Sequence, residues 1–369
     1  MEFLYPDETV AFDISGDCIQ DGSSVSVQYQ SGARRSATLV VDNWENIYDM
    51  NVNKVWFGQK IRISAGIYMP DGTQFTLPQG IFYINNPEEV FDPSTRTTTF
   101  SLSDKWSYLD GSLFGNFAGV YQLIPGNNLF VAIQQLLLTD RGNGEPLDRT
   151  PPLLDSSYIG KTYTVADRTY NYLDCPYTAK ISGNYASVVN EINTMLVSVC
   201  GYDCRGRFVL ENANTDVKDD QNAVQWDYTT NPSLLVSVSR NPQLTEMYNH
   251  VIVTGGVLNG HIAKGEAIND DLSSPTNVSY VGKKTYVVEQ SKYYADEQCL
   301  EMAKYELTRR KRLSSQVTIE TLPIYHLQEH QLIALDFDNS TQNRQLYLID
   351  GYELPLGQTE NMSITASLV

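Results

Sequence analysis

The chain has 369 residues, 41% of them hydrophobic and 19% charged, and a formal net charge of -18. That length accommodates two or three domains and a sizeable core. The acidic excess repels phosphate, which argues against sequence-independent nucleic-acid binding and against docking on anionic membranes. The opening MEFLYPDETV has an acidic flank and no apolar core of signal-peptide length. No window approaches the ~18 to 20 apolar residues of a membrane span. Cys18, Cys175, Cys200, Cys204 and Cys299 are an odd, scattered set, which predicts free thiols in a reducing compartment and a soluble chain made in a cytoplasm.

The first hundred residues read as strands. TVAFDIS alternates Val10, Phe12 and Ile14; SVSVQYQ alternates Val25, Val27 and Tyr29; KIRISAGIYM alternates Ile61, Ile63, Ala65 and Ile67. Asp71-Gly72 lies between two alternating runs and predicts a tight hairpin turn. GIFYIN and TTTFSLSDKW continue the pattern, and one buried face per strand means an antiparallel barrel or sandwich. After Asp110 the texture changes. NNLFVAIQQLLLTD predicts a helix with Phe130, Ile133 and Leu137 on one side, and DRGNGEPLDRTPPLLDSSYIG a long surface loop. In NYASVVNEINTMLVSVCGYD, Val188 or Val189, Ile192, Met195 or Leu196, and Val199 are spaced as a helix, with Asn184 or Ser187 as its cap and Gly201 at its end. Strands return from about residue 207 in GRFVLE, SLLVSVSRN, NHVIVTGGV and KTYVVEQ. The helix that follows carries Asp296 and Glu297 early and Arg309, Arg310, Lys311 and Arg312 at its end, an order that complements the helix dipole. The last fifty residues are strands.

His326-Leu327-Gln328-Glu329-His330 matches H-x-x-E-H, the signature of a class of zinc proteases. Such a site needs a helix to bring both histidines to one metal. Ile333, Leu335 and Phe337 alternate as a strand directly afterwards, leaving at most two turns for a helix. The downstream carboxylates Asp336, Asp338, Asp350, Glu353 and Glu360 fall in strand or turn contexts, where a third ligand is not expected. The expectation is two surface histidines ahead of a strand, with a zinc hydrolase through His326, Glu329 and His330 as the lesser alternative. Cys200 and Cys204 form a C-x3-C without a second pair; Cys200 is expected to end a helix and Cys204 to begin a strand. TGGVLNGHIAKG lacks the spacing of a phosphate loop, and no Gly-x-Ser-x-Gly elbow occurs. No catalytic, cofactor-binding or metal residue is assigned, and no cofactor.

The order of segments is more informative than any short motif. Trp56, Gly58, Ile61, Ile63, Gly66, Asp71, Gly72, Gly80, Phe82, Ile84, Asp104, Lys105 and Leu109 follow the sense of the opening domain of phage tail and baseplate hub proteins. Asn249, Ile252 or Val253, and Gly255 look like the start of that family's second barrel, and the strands after HLQEH like its closing ones. The chain thus resembles the central hub family, also found in tail-derived bacteriocins, in a short form without a lytic domain. The resemblance implies an α+β, β-rich fold with two tube-like antiparallel β-barrels at 1–110 and 239–369. A small α/β domain at 111–204 lies between them, residues about 205–238 are open as a return to the first barrel, and a helix at about 291–313 is inserted in the second.

It further implies a non-enzymatic homotrimer forming a pseudo-sixfold ring in a virion tail, assembled in the host cytoplasm. Its partners would be other copies of itself, a tail tube or distal tail protein above, and a spike, fibre or tape-measure protein in the channel. DNA would pass without specific binding, and no membrane is involved. A carbohydrate-binding receptor protein, suggested by 24 tyrosines in a β-rich chain, is the other alternative.

Overall fold

The computed structural model describes residues 1–14, 16–49, 55–165, 168–213, 223–240, 245–258, 260–312, 315–336, 344–357 and 359–369. Leu313, Phe337 and Asp338, which entered the helix, strand and ligand expectations, lie outside them.

Seven strands come from the opening hundred residues: β1 (Glu2–Leu4), β2 (Val10–Asp13), β3 (Ser24–Gln28), β4 (Arg35–Asp42), β5 (Lys60–Tyr68), β6 (Gln74–Phe91) and β7 (Arg96–Asp104). They pair antiparallel in the order β3-β4-β7-β6-β5-β1-β2. Alternation drives this arrangement. Ala37, Leu39 and Val41 of β4 point inward, with Leu39 opposite Phe100 of β7, and Val25, Val27, Ile61 and Ile63 join the same core. Asp71 and Gly72 make the expected turn: Gly72 has φ +82° and the Asp71 carboxylate accepts the Thr73 N–H at 2.9 Å. Residues 67–76 are all exposed, Ile67 included, because this hairpin runs past the edge of the core. The runs QFTL and GIFYIN are one strand, β6. Its register slips opposite Ile63 and Ser64, leaving Gln79 as the extra residue of a bulge.

A mixed unit follows, built from β8 (Asn116–Leu123), α1 (Leu129–Leu137), β9 (Leu153–Leu154), β10 (Thr162–Val165), β11 (Arg168–Asn171), β12 (Ala179–Asn184), α2 (Tyr185–Leu196), β13 (Ser198–Tyr202) and β14 (Phe208–Asn212) around a second core. The side chain of Asn128 caps α1, which buries Leu129, Ala132, Ile133, Leu136 and Leu137, so Phe130 lies at the margin of that face. Asn184 caps α2 as expected, accepting the Ser187 N–H at 2.9 Å. The helix ends at Val197, with φ +48°, and not at Gly201. Residues 198–202 are drawn into β13 by pairing with β14, and the buried Tyr158 hydroxyl donates to the Leu196 carbonyl at 3.2 Å where the helix stops. The Gly- and Pro-rich stretch before Tyr158 is only partly a surface loop, since Leu147, Asp148 and Tyr158 are buried.

The remaining elements are β15 (Val224–Asp227), β16 (Leu235–Arg240), β17 (His250–Leu258), β18 (His261–Ile268), α3 (Val278–Val281), β19 (Thr285–Glu289), α4 (Asp296–Arg312), β20 (Gln316–Thr321), β21 (Leu332–Leu335), β22 (Gln345–Pro355) and β23 (Met362–Leu368). Of the described residues in 205–240, β14 pairs with β13 and β9, β15 with β21, and β16 with β20, while Tyr228 joins the hydrophobic core that β1–β7 enclose. β22 pairs with β21 and β23 and then, through Gly351–Pro355, with Ser24–Gln28 of β3. This junction makes one sheet of thirteen strands, so the fold is β-rich α+β around a large, mostly antiparallel sheet. Among the described residues no helix is long and apolar enough to cross a membrane.

β17, β18 and β19 form a separate three-stranded sheet, and α4 packs on β17 and β18. Glycine permits this contact. A Cβ at Gly265 would lie 2.2 Å from the Cys299 backbone, and one at Gly255 2.4 Å from the Tyr293 carbonyl oxygen. Substituting Gly265→Ala is expected to force α4 off the sheet and cost about 1–3 kcal/mol by overpacking. Urea denaturation followed by circular dichroism checks this, and an unchanged midpoint would contradict it.

Candidate functional site

The HLQEH segment lies in turns that lead into β21, and His330 has φ +61°. Its three candidate ligands diverge. The Nε2–H of His326 donates to the Gln225 carbonyl at 3.3 Å, the His330 ring stacks on Tyr29 with centroids 4.1 Å apart, and Glu329 binds Arg35. His326 is exposed as expected, but His330 is half-buried against Tyr29. Burial, with the cations Arg312 and Arg34 nearby, lowers His330 from its ordinary 6.5 to about 4. Below pH 6.5 the unfolded chain therefore takes up a proton that the folded chain refuses until about pH 4. Stability should fall as pH drops through that window. Substituting His330→Phe is expected to flatten this limb, so the difference in melting temperature between pH 7 and pH 5 shrinks relative to the parent protein.

Glu329 belongs to a polar junction centred on Arg34 and Arg35, at the start of β4. The Arg35 guanidinium is 1% exposed and reaches four separate parts of the chain. Its Nη1 donates to the carbonyl of the bulged Gln79 at 3.1 Å and to the Tyr352 hydroxyl at 3.4 Å. Its Nη2 donates to Gln328 Oε1 at 2.8 Å and to the Glu329 carboxylate, and its Nε to the Tyr202 carbonyl at 3.3 Å. Arg34 binds Glu211 of β14 at 2.5 Å. Below both arginines, Asp104 accepts their backbone N–H groups at 2.9 and 3.0 Å and that of Trp106 at 3.1 Å. Burial pushes the Asp104 carboxyl up to about 6, opposed by these three N–H groups and by Arg35. One dipeptide thus ties β1–β7 to the mixed unit and to the closing strands.

A second buried cluster starts at the next residue. Lys105 Nζ lies 3.0 Å from Asp148 Oδ1 and 2.6 Å from Glu8 Oε1, which also binds Lys60 at 2.7 Å. Burial alone would raise the Glu8 carboxyl, but the two ammonium groups hold it below its usual range. Asp104 and Lys105 were marked by the sequence; Arg34, Arg35, Glu8, Asp148 and Glu211 were not. The one available signal was phase, since Arg35 shares the inward row of Ala37, Leu39 and Val41.

The two thiols of the C-x3-C lie on β13 and in the turn after it, so Cys200 does not end a helix and Cys204 does not begin a strand. Burial pushes Cys200 up to about 11 and raises Cys204 as well, which keeps both protonated. Among the described residues no group of three or more His, Cys, Asp or Glu is placed to hold a metal ion. Tyr83, Tyr108, Tyr158, Tyr202, Tyr293 and Tyr347 are fully buried, so these six do not line a carbohydrate site. The arrangement is suited to fixing parts of the chain against one another. Its charged groups are spent on each other.

No family model and no curated protein sequence matches the chain. Solved structures do. The 43 kDa tail protein of prophage MuSo2 from Shewanella oneidensis is similar at a TM-score of 0.59 and 9% identity, over 94% of this chain and 93% of that one. The prophage tail protein gp18 from Listeria monocytogenes EGD-e gives a TM-score of 0.55 and 10% identity over 99% and 93%. The tail protein from Neisseria meningitidis MC58 gives 0.54 and 11% over 94% and 90%. The chain has the fold of these tail proteins. At such low identity the likeness concerns the path of the backbone.

Proposed function

We propose that the chain is a structural hub protein of a phage tail or tail-like particle. The observation that supports this most is the end-to-end likeness to tail proteins, which covers nearly all of this chain and of theirs. In this reading β1–β7 form one tube-like barrel, β15, β16 and β20–β23 a second, and the β3–β22 pairing welds the two within one chain. Three copies then make a pseudo-sixfold ring, since two comparable barrels per chain convert threefold into near-sixfold symmetry. The ring joins a tail tube or distal tail protein to a spike, fibre or tape-measure protein. The acidic surplus suits a channel through which DNA slides without sticking. No catalytic role is proposed.

Antibody labelling of intact tails by electron microscopy tests the placement. Label at the tip, where tube meets spike, is expected; label along the tube or at the head would overturn the hub reading.

A further inference from the structure

The buried cluster around Lys105 has the geometry of a reaction centre as well as of an ion-pair network. Lys105 Nζ touches two carboxylates at once, Glu8 Oε1 at 2.6 Å and Asp148 Oδ1 at 3.0 Å. A carbonyl C–O bond is about 1.2 Å long, so Asp148 Cγ lies no more than about 4.2 Å from that nitrogen. A small rotation about the lysine's last bonds brings the two atoms to the ~3 to 3.5 Å at which bond formation begins. An amine and a carboxyl held this way meet at effective concentrations on the order of 10⁵ M or more.

The two oxygens of Asp148 are not equivalent. Oδ1 accepts the Thr150 N–H at 2.9 Å, so a donor is already in place on the oxygen that an amide would keep. Oδ2 is buried with no hydrogen-bond partner among the described residues, and it is the oxygen that an amide would shed. Glu8 sits between two amines, because its Oε1 also lies 2.7 Å from Lys60 Nζ. Its backbone is held there at φ +69°, a region that residues other than glycine seldom adopt. The fully buried Tyr83 and Tyr202 flank the amines, with Lys60 Nζ 5.8 Å from the first ring centre and Lys105 Nζ 6.0 Å from the second. Such enclosure keeps out the water that would hydrolyse an amide once formed.

We propose that Lys105 and Asp148 join in an amide bond, an internal cross-link that the folded chain makes by itself with Glu8 as the base. The ion-paired arrangement is the freshly folded form, before the bond closes. Nζ passes one proton to the Asp148 carboxyl, and the amine so formed attacks Cγ. As the C–N bond forms, Glu8 takes a second proton from Nζ and returns it to the departing Oδ2. The Cγ–Oδ2 bond breaks, Oδ2 leaves as water with both protons, and the third Nζ proton stays on the amide. No oxidant, reductant or further reactant enters. Four buried charges become two, Glu8 and Lys60, which still pair. The bond spans 43 positions of the chain and so restricts the unfolded state.

Mass spectrometry of the intact protein, incubated folded at neutral pH and then denatured, tests the bond. The parent is expected to weigh less than its sequence by the mass of one water. Its digest is expected to contain one branched peptide in which Lys105 is joined to Asp148. Lys105→Arg keeps a cation but offers no reactive amine, and Glu8→Gln removes the base. Both variants should keep the full sequence mass, with circular dichroism showing that they fold. A parent of full mass overturns the inference. So does a deficit that persists in Lys105→Arg, which would mark dehydration of an aspartate alone, or a branch that joins Lys60 to Glu8 instead. A deficit that persists in Glu8→Gln overturns the role of Glu8 as base. Should a variant fail to fold, the mass of the parent and its branched peptide decide alone.

Discussion

Substituting Arg35→Ala is expected to cost about 3–5 kcal/mol, the range for removing one partner of a buried ion pair. The reason is what remains behind. Glu329 is 7% exposed, and without the guanidinium it loses the cation that it binds directly. The carbonyls of Gln79 and Tyr202 lose their donors at the same time. Arg35→Lys keeps the charge but not the fork that reaches four segments at once, so it should recover only part of the loss. The pair Arg35→Met with Glu329→Leu removes both charges and should be clearly less harmful than Arg35→Ala alone, because no uncompensated ion is left. Urea denaturation of the four proteins decides this. Equal losses for Arg35→Ala and the double variant would show that packing, and not the buried charge, sets the cost.

A loss of similar size, about 3–5 kcal/mol, is expected for Lys105→Ala. Lys105 and Asp148 are each 1% exposed, and their pair joins the end of β7 to the Gly- and Pro-rich stretch, while Glu8 ties in the β1–β2 turn. The pH dependence separates this from a simple cavity. Glu8 is held below its ordinary 4.5 by Lys105 and Lys60 against the opposing effect of burial. Its contribution is therefore present above pH 4.5 and is lost as pH falls through the lower folded value. Lys105→Ala removes much of that depression, so the acid limb between pH 5 and pH 3 should be shallower in the variant. Limited proteolysis gives a second readout: cleavage within residues 140–150 should accelerate while the β20–β23 region stays resistant.

Local rules made much of this fold legible. The period-2 rows of β3, β5 and β7, the Asp71-Gly72 turn, the Asn184 cap and the charge order along α4 each follow from steric or electrostatic preferences acting within a few residues. What stayed hidden was set by partners far away in the chain. The β3–β22 pairing joins residues more than three hundred positions apart, and nothing in SVSVQ or GYELP marks either as the other's neighbour. Gly201 looked like a helix stop because the glycine signal is real, but β14 captures residues 198–202 first. HLQEH looked like a metal motif because spacing is visible in a sequence, whereas the three different partners of its His326, Glu329 and His330 are not. Arg35 lies between these cases. Its inward phase on β4 was readable, and only the partners that make an arginine tolerable there were not.

Native mass spectrometry of the purified protein tests the central claim most directly, because it counts subunits and detects bound metal in one spectrum. A metal-free trimer is expected. A monomer carrying one zinc would contradict the hub reading and return His326, Glu329 and His330 to the centre of the protein's chemistry.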